Sequence, residues 1–233
     1  MQNKVIIFKL KNFKKIDYKN YLELINEKYC LILMVDINEF EEVEKLEKYL
    51  TIDEEIKKEK YYYKRKKKCY VISHGIVNYI YSKWIGCTVK ELSFNKGPFL
   101  KPYIDNEYRI QYNITHSKDL LAIGLSKYTI GIDLEYIDKN MDYEDIVNMC
   151  FHKKESSFIQ KNLNLFYKVW VIKEAYLKLI GEGLNRPLNS FYIEQYLHKE
   201  QNEFTLVDEY KKSKEKAYIF YPLENYVGAF CLK

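Results

Sequence analysis

The sequence predicts an α+β protein, and three observations carry that expectation. Short runs rich in Val, Ile, Leu and Phe, at residues 4–10, 29–37 and 120–126 among others, have the composition of strands. Stretches with apolar residues three or four apart, clearest over 69–85 and 163–180, have the period of helices. A helix closing on Trp84-Ile85-Gly86 before a strand is echoed by one closing on Leu179-Ile180-Gly181 before a strand, which suggests a duplicated α+β unit.

With 233 residues, of which 47% are hydrophobic, the chain is long enough for one large domain or two small ones with a buried core. A formal charge of +5 suits anionic ligands without demanding nucleic acid. Five widely spaced cysteines, Cys30, Cys69, Cys87, Cys150 and Cys231, have no spacing suited to zinc, so reduced thiols in a cytoplasmic protein are expected. Residues 1–10 hold only a short apolar run broken by Lys4 and Lys9, and no apolar stretch reaches the length of a membrane span. Neither export nor a membrane partner is expected.

In chain order, 4–10 and 29–37 are expected as strands joined by a polar connection. Residues 38–50, with Phe40, Val43, Leu46 and Leu50 on one face, are expected as an amphipathic helix. Thr51-Ile52-Asp53-Glu54 has the form of a capping box, so a helix should start there and run through the basic block 57–68. That block interleaves lysines and Arg65 with Tyr61, Tyr62 and Tyr63. It reads as a solvated helix face, as a phosphate-binding surface for a small ligand, or as a nucleic-acid surface. The next helix, 69–85, should stop at Gly86. A strand over 89–94, a turn at Asn95-Lys96-Gly97-Pro98 and a strand over 110–114 follow, the last ending in Thr115-His116-Ser117. Those three side chains suit phosphate contacts and equally suit an ordinary turn. Residues 120–126 and 129–137 predict a hairpin about Lys127-Tyr128, which would set residues 133 and 135 beside Thr115-His116. Helices over 141–150, 153–161 and 163–180 and strands over 191–197, 204–207, 217–221 and 227–232 complete the reading.

Within 129–137, Asp133 and Glu135 are two residues apart and so project from one face of the strand. Two close carboxylates invite a divalent cation, and Mg²⁺ characteristically takes one or two carboxylates and completes its shell with water and phosphate oxygens. The same pattern also suits an exposed strand face. A third acid, Glu174, shares a helix face with Trp170, Leu177 and Lys178. The alternative there is a surface Glu-to-Lys pair worth only about 0.2–0.5 kcal/mol.

Taken together, Lys101-Pro102, Asn113-Ile114-Thr115-His116-Ser117, Gly131-Ile132-Asp133-Leu134-Glu135, the run from Trp170 through Lys173-Glu174-Ala175 to Lys178, and Gly181-Glu182-Gly183-Leu184 form an ordered set. The set resembles the 4′-phosphopantetheinyl transferases, in the larger single-chain type that activates peptide and polyketide synthetases. The family commonly has Gly where Leu100 stands. The resemblance implies two similar halves related by a pseudo-twofold, here 1–129 and 130–233, binding coenzyme A between them as co-substrate. It implies Mg²⁺ held by Asp133, Glu135 and Glu174, a pyrophosphate contact from Lys178, and further coenzyme A contacts from Lys101, Pro102, Thr115, His116 and Asp133. Lys57, Lys60 and Lys67 would be the N-terminal basic contacts. The catalytic set would be Glu174, Lys178 and Asp133, with Glu174 accepting the proton of a serine on an apo acyl or peptidyl carrier protein. A cytoplasmic monomer without nucleic acid or membrane partners is expected. The rivals are a Mg²⁺-dependent nuclease and a nucleic-acid-binding module using 57–68.

Overall fold

A computed structural model describes residues 4–97, 102–104, 107–159, 162–194 and 202–233. The architecture is mixed α+β, and the chain divides into two compact units, with the change falling between Lys127 and Tyr128.

The first unit carries a four-stranded sheet in the order β1-β2-β6-β5, from β1 (Val5–Leu10), β2 (Cys30–Asp36), β5 (Gln111–Ser117) and β6 (Leu120–Ser126). Strands β1 and β2 run parallel, which requires a crossover, and the chain supplies one in α1 (Tyr18–Asn26). The expected polar connection is therefore a helix. Asp17 caps it by accepting from Asn20 N, and Tyr21 and Ile25, four apart, are its buried anchors.

Residues 38–50 do not form the single amphipathic helix their spacing predicts. Glu42 sits at φ 62°, and Glu41 N donates to Lys11 O, so only α2 (Glu44–Glu47) is helical. The capping box at Thr51 is present and opens α3 (Ile52–Glu59). That helix does not run through the basic block: Tyr63 is extended, and the chain restarts as α4 (Lys64–Ile85). Glu54 ties the two together, because its carboxylate accepts from both Thr51 N and the Asn78 side chain. Gly75 lets α4 approach α2; a Cβ there would lie 2.8 Å from the Leu46 carbonyl oxygen. Gly86, at φ 74°, ends α4 in the left-handed cap the sequence predicts. The strand expected over 89–94 is a 3₁₀ turn at Val89–Glu91, followed by β3 (Phe94–Lys96), which pairs with β4 (Pro102–Ile104).

The second unit carries an antiparallel sheet ordered β7-β11-β10-β9-β8: β7 (Ile130–Tyr136), β8 (Tyr192–Ile193), β9 (Glu203–Asp208), β10 (Ser213–Phe220) and β11 (Tyr226–Leu232). The expected hairpin of 120–126 with 129–137 does not form. Both edges of β6 are already taken by β2 and β5, whereas β7 pairs with β11, so Lys127 joins strands of different sheets. The inference that set Asp133 and Glu135 beside Thr115-His116 through that hairpin falls with it. Short helices α5 (Glu144–Cys150) and α6 (Lys153–Ile159) precede α7 (Leu163–Ile180), which has the limits the sequence predicts. Asn162 caps its start by accepting from Leu165 N, and Gly181 ends it at φ 78°. Phe151, Phe166 and Trp170 stack where α7 passes under α5 and α6.

The five cysteines are free thiols. Among the described residues no helix is long and apolar enough to cross a membrane.

Candidate active site

Position 131 decides how the acids are presented. Gly131, Asp133 and Glu135 alternate onto one face of β7, and α7 lies on that face. A Cβ at Gly131 would fall well inside 3.0 Å of the Ala175 carbonyl oxygen and the Leu179 backbone nitrogen. Only glycine admits so close an approach, and the approach brings the 174–178 turn of α7 over Asp133. Lys178 Nζ then donates to Asp133 Oδ1 at 2.7 Å, with the aspartate side chain 6% exposed. Gly131→Ala is expected to cost about 3 kcal/mol or more by overpacking and to separate Lys178 from Asp133. Chemical denaturation checks the first effect; an unchanged midpoint would overturn the packing account.

Glu174 sits one turn before Lys178, its Oε1 buried without a hydrogen-bond partner. Burial pushes its carboxyl up to about 7, the neighbouring Asp133 and Glu135 push the same way, and Lys178 offsets part of this. Asp133, Glu135 and Glu174 are thus electrostatic neighbours although 39 positions separate Glu135 from Glu174 in the chain. Among the described residues no three His, Cys, Asp or Glu side chains converge, as they stand, into a metal-ligand cluster. The donor chemistry nonetheless fits a hard cation: three carboxylates, one with an unsatisfied buried oxygen and a proton affinity raised by burial and by its acidic neighbours.

Lys173, between Trp170 and Glu174 in the motif, received no role from the sequence. It is fully buried, pairs with the equally buried Glu155 at 2.8 Å, and donates to the carbonyls of Leu188 (2.7 Å) and Phe191 (2.6 Å). Glu155 accepts in turn from the backbone of His152 and Ile193. The pair ties α6 and the 188–191 turn to α7 immediately beside Glu174. Spacing could not reveal this, because Lys173's partners lie 15 to 18 residues away on either side.

In the first unit, a pocket of about 440 Å³ is lined by Lys57, Arg65, Lys66, His116 and Lys118, together with a Tyr70-His74 stack. His116 is where the sequence expects a ligand contact. Thr115, which points to the other face of β5, is buried and does not line it. Of the three lysines named as N-terminal contacts, Lys57 reaches the pocket, Lys67 pairs with Glu59 at 2.6 Å, and Lys60 does not line it. Arg65 and Lys66 belong to the basic block that the sequence offered as a phosphate-binding surface, whereas Tyr70, Ser73 and His74 were missed, although the five share a single helical stripe along α4. Lys101 lies outside the described residues. Pro102 opens β4.

Residues 129–231 match the family model described as the 4′-phosphopantetheinyl transferase superfamily. The chain is 31% identical over 147 residues to 4′-phosphopantetheinyl transferase gsp of Aneurinibacillus migulanus, covering 61% of this chain and 57% of that protein. It is 27% identical to HetI of Nostoc sp. (58% of this chain, 61% of that one) and 26% identical to Sfp of Bacillus subtilis (76% and 80%). The chain thus spans less than two thirds of gsp and of HetI. The nuclease and nucleic-acid alternatives draw no support from these relatives. The likeness to the 4′-phosphopantetheinyl transferase superfamily is thus carried by residues 129–231, which hold the acids, Lys173 and Lys178.

Proposed function

We propose that the protein transfers the 4′-phosphopantetheine arm of coenzyme A to a serine of an apo carrier protein in the cytoplasm, as a monomer that requires Mg²⁺. The carrying observation is the Gly131 contact, which lays Glu174 and Lys178 of α7 over the acidic face of β7. Asp133, Glu135 and Glu174 would hold the ion. Bound there, Mg²⁺ would supply neutralisation of a pyrophosphate and of charge developing on its leaving oxygen.

The protein's own groups do the rest. Lys178, already held by Asp133, offers a cation to the diphosphate oxygens. Glu174, whose carboxyl burial raises to about 7 in the metal-free protein, is the carboxylate placed to accept a proton. The serine oxygen forms a bond to the phosphorus that bears pantetheine, the bond from that phosphorus to the bridging oxygen breaks, and 3′,5′-ADP leaves. The serine proton passes to Glu174. The basic pocket of the first unit, with His116, Lys57 and Arg65, suits the nucleotide phosphates, with Lys101 and Pro102 as further contacts; Thr115, on the other face of β5, does not reach it. We read the two units as a duplicated α+β pair, with the pseudo-twofold that the family resemblance implies. Each ends a long helix on a left-handed glycine.

Incubation with Mg²⁺, a fluorescent coenzyme A analogue and apo acyl, peptidyl and polyketide carriers is expected to label the carrier serine. Failure to label any of the three, together with Mg²⁺-dependent plasmid cleavage, would overturn this reading in favour of a nuclease.

A further inference from the structure

A second pocket, of about 350 Å³, lies wholly within the second unit at the start of α7, and Val227 in its wall pairs across the sheet with Glu135. The start of α7 lines it through Asn162, Asn164, Leu165 and Lys168, and Ile137, Tyr221 and Val227 complete the wall. Lys168 is only 7% exposed, yet among the described residues its ammonium meets no carboxylate and no hydrogen-bond acceptor. Its Nζ stands 5.8 Å from the centre of the Tyr221 ring. The other buried cations of this unit are paired: Lys173 with Glu155, Arg186 with Asp208. A lysine so largely buried ordinarily has a counter-charge, and among the described residues none contacts this one, whose ammonium opens into the pocket.

The same pocket receives the N-terminus of an 18-residue helix. Asn162 satisfies Leu165 N, while the first helical amides have no acceptor within α7, and the helix dipole is positive at this end. Asn164 and Lys168 are four apart and share a face. Apolar walls from Ile137 and Val227 favour a ligand with a short hydrocarbon stem. At 1.5 Å per residue, Lys168 lies about 9 Å along α7 from Glu174, so the pocket adjoins the acidic face at Glu135 and is centred about two turns of α7 before Glu174.

We propose that this pocket is an anion site that takes a carboxylate on a short apolar stem, held by the Lys168 ammonium and the helix start. Such a group is found on free aliphatic acids and on acidic side chains of a docking protein. Butyrate, butyramide and inorganic phosphate are titrated into protein labelled with ¹³C-lysine, the Lys168 signal being assigned by its loss in Lys168→Met. Butyrate is expected to shift that signal saturably and butyramide to leave it unmoved. Calorimetry should show butyrate affinity at least tenfold weaker in Lys168→Met and retained in Lys168→Arg. Equal binding of butyramide, unchanged affinity in Lys168→Met, or phosphate bound tenfold more tightly than butyrate would each overturn the assignment.

The source is separated by a final arm, which alone rests on the transferase reading. If butyrate raises KM for the carrier and not for coenzyme A, the natural occupant is a carrier side chain; if it binds without changing either, the occupant is a free acid. Loss of all transfer with butyrate binding intact would count against the transferase reading and leave the pocket standing.

Discussion

Glu174→Gln is expected to lower carrier labelling by about a thousandfold or more, within the range general-base and charge-positioning losses reach, while the fold is kept. Glutamine matches glutamate in size but neither accepts the proton nor contributes negative charge beside Asp133 and Glu135. The same substitution has a stability signature. With its folded pKa raised to about 7 from an ordinary value of 4.5, the Glu174 carboxyl stabilises the metal-free protein fully below 4.5, and that contribution is lost as pH rises through about 7. Metal-free wild type should therefore lose melting temperature between those limits, and Glu174→Gln should lose less. If Mg²⁺ binds these acids, it should restore the wild type near neutral pH and have little effect on the variant. Wild-type labelling by Glu174→Gln would remove the residue from the mechanism; an identical pH profile in both proteins would show that its environment is not the one described.

Lys173→Met is expected to produce the largest loss of stability, about 3–5 kcal/mol, because it leaves Glu155 buried and uncompensated. The carbonyls of Leu188 and Phe191 lose their donor in the same step. Burial lowers the Lys173 pKa and raises that of Glu155, while each partner offsets the effect on the other. The double variant Glu155→Leu with Lys173→Met should recover part of the loss by removing the stranded charge, and not all of it, since the two carbonyls stay unsatisfied. Equilibrium unfolding in urea measures both. A Lys173→Met midpoint close to wild type would show that the pair is not what ties α6 to α7.

Local chemistry was legible wherever a short stretch contains its own reason. Asn162 and Gly181 fix the ends of α7, Thr51 and Glu54 form their capping box, and Gly86 takes the left-handed cap. The alternation that put Asp133 and Glu135 on one face of β7, and the family those motifs resemble, came from the same local patterns.

Strand partners were not legible. The 120–126 and 129–137 stretches read as a hairpin because they are adjacent and both apolar, yet β6 fills its edges with β2 and β5 while β7 finds β11 almost a hundred residues on. The sequence alone determined which acids and lysines could do chemistry and which elements carry them, since period and capping act over a few residues. Tertiary structure decided that Glu174 rises to about 7, that Lys173 is locked to Glu155 and that Lys168 lines a pocket. Burial and charge proximity are set by segments distant in the chain, and the close contact allowed by Gly131 is one such meeting.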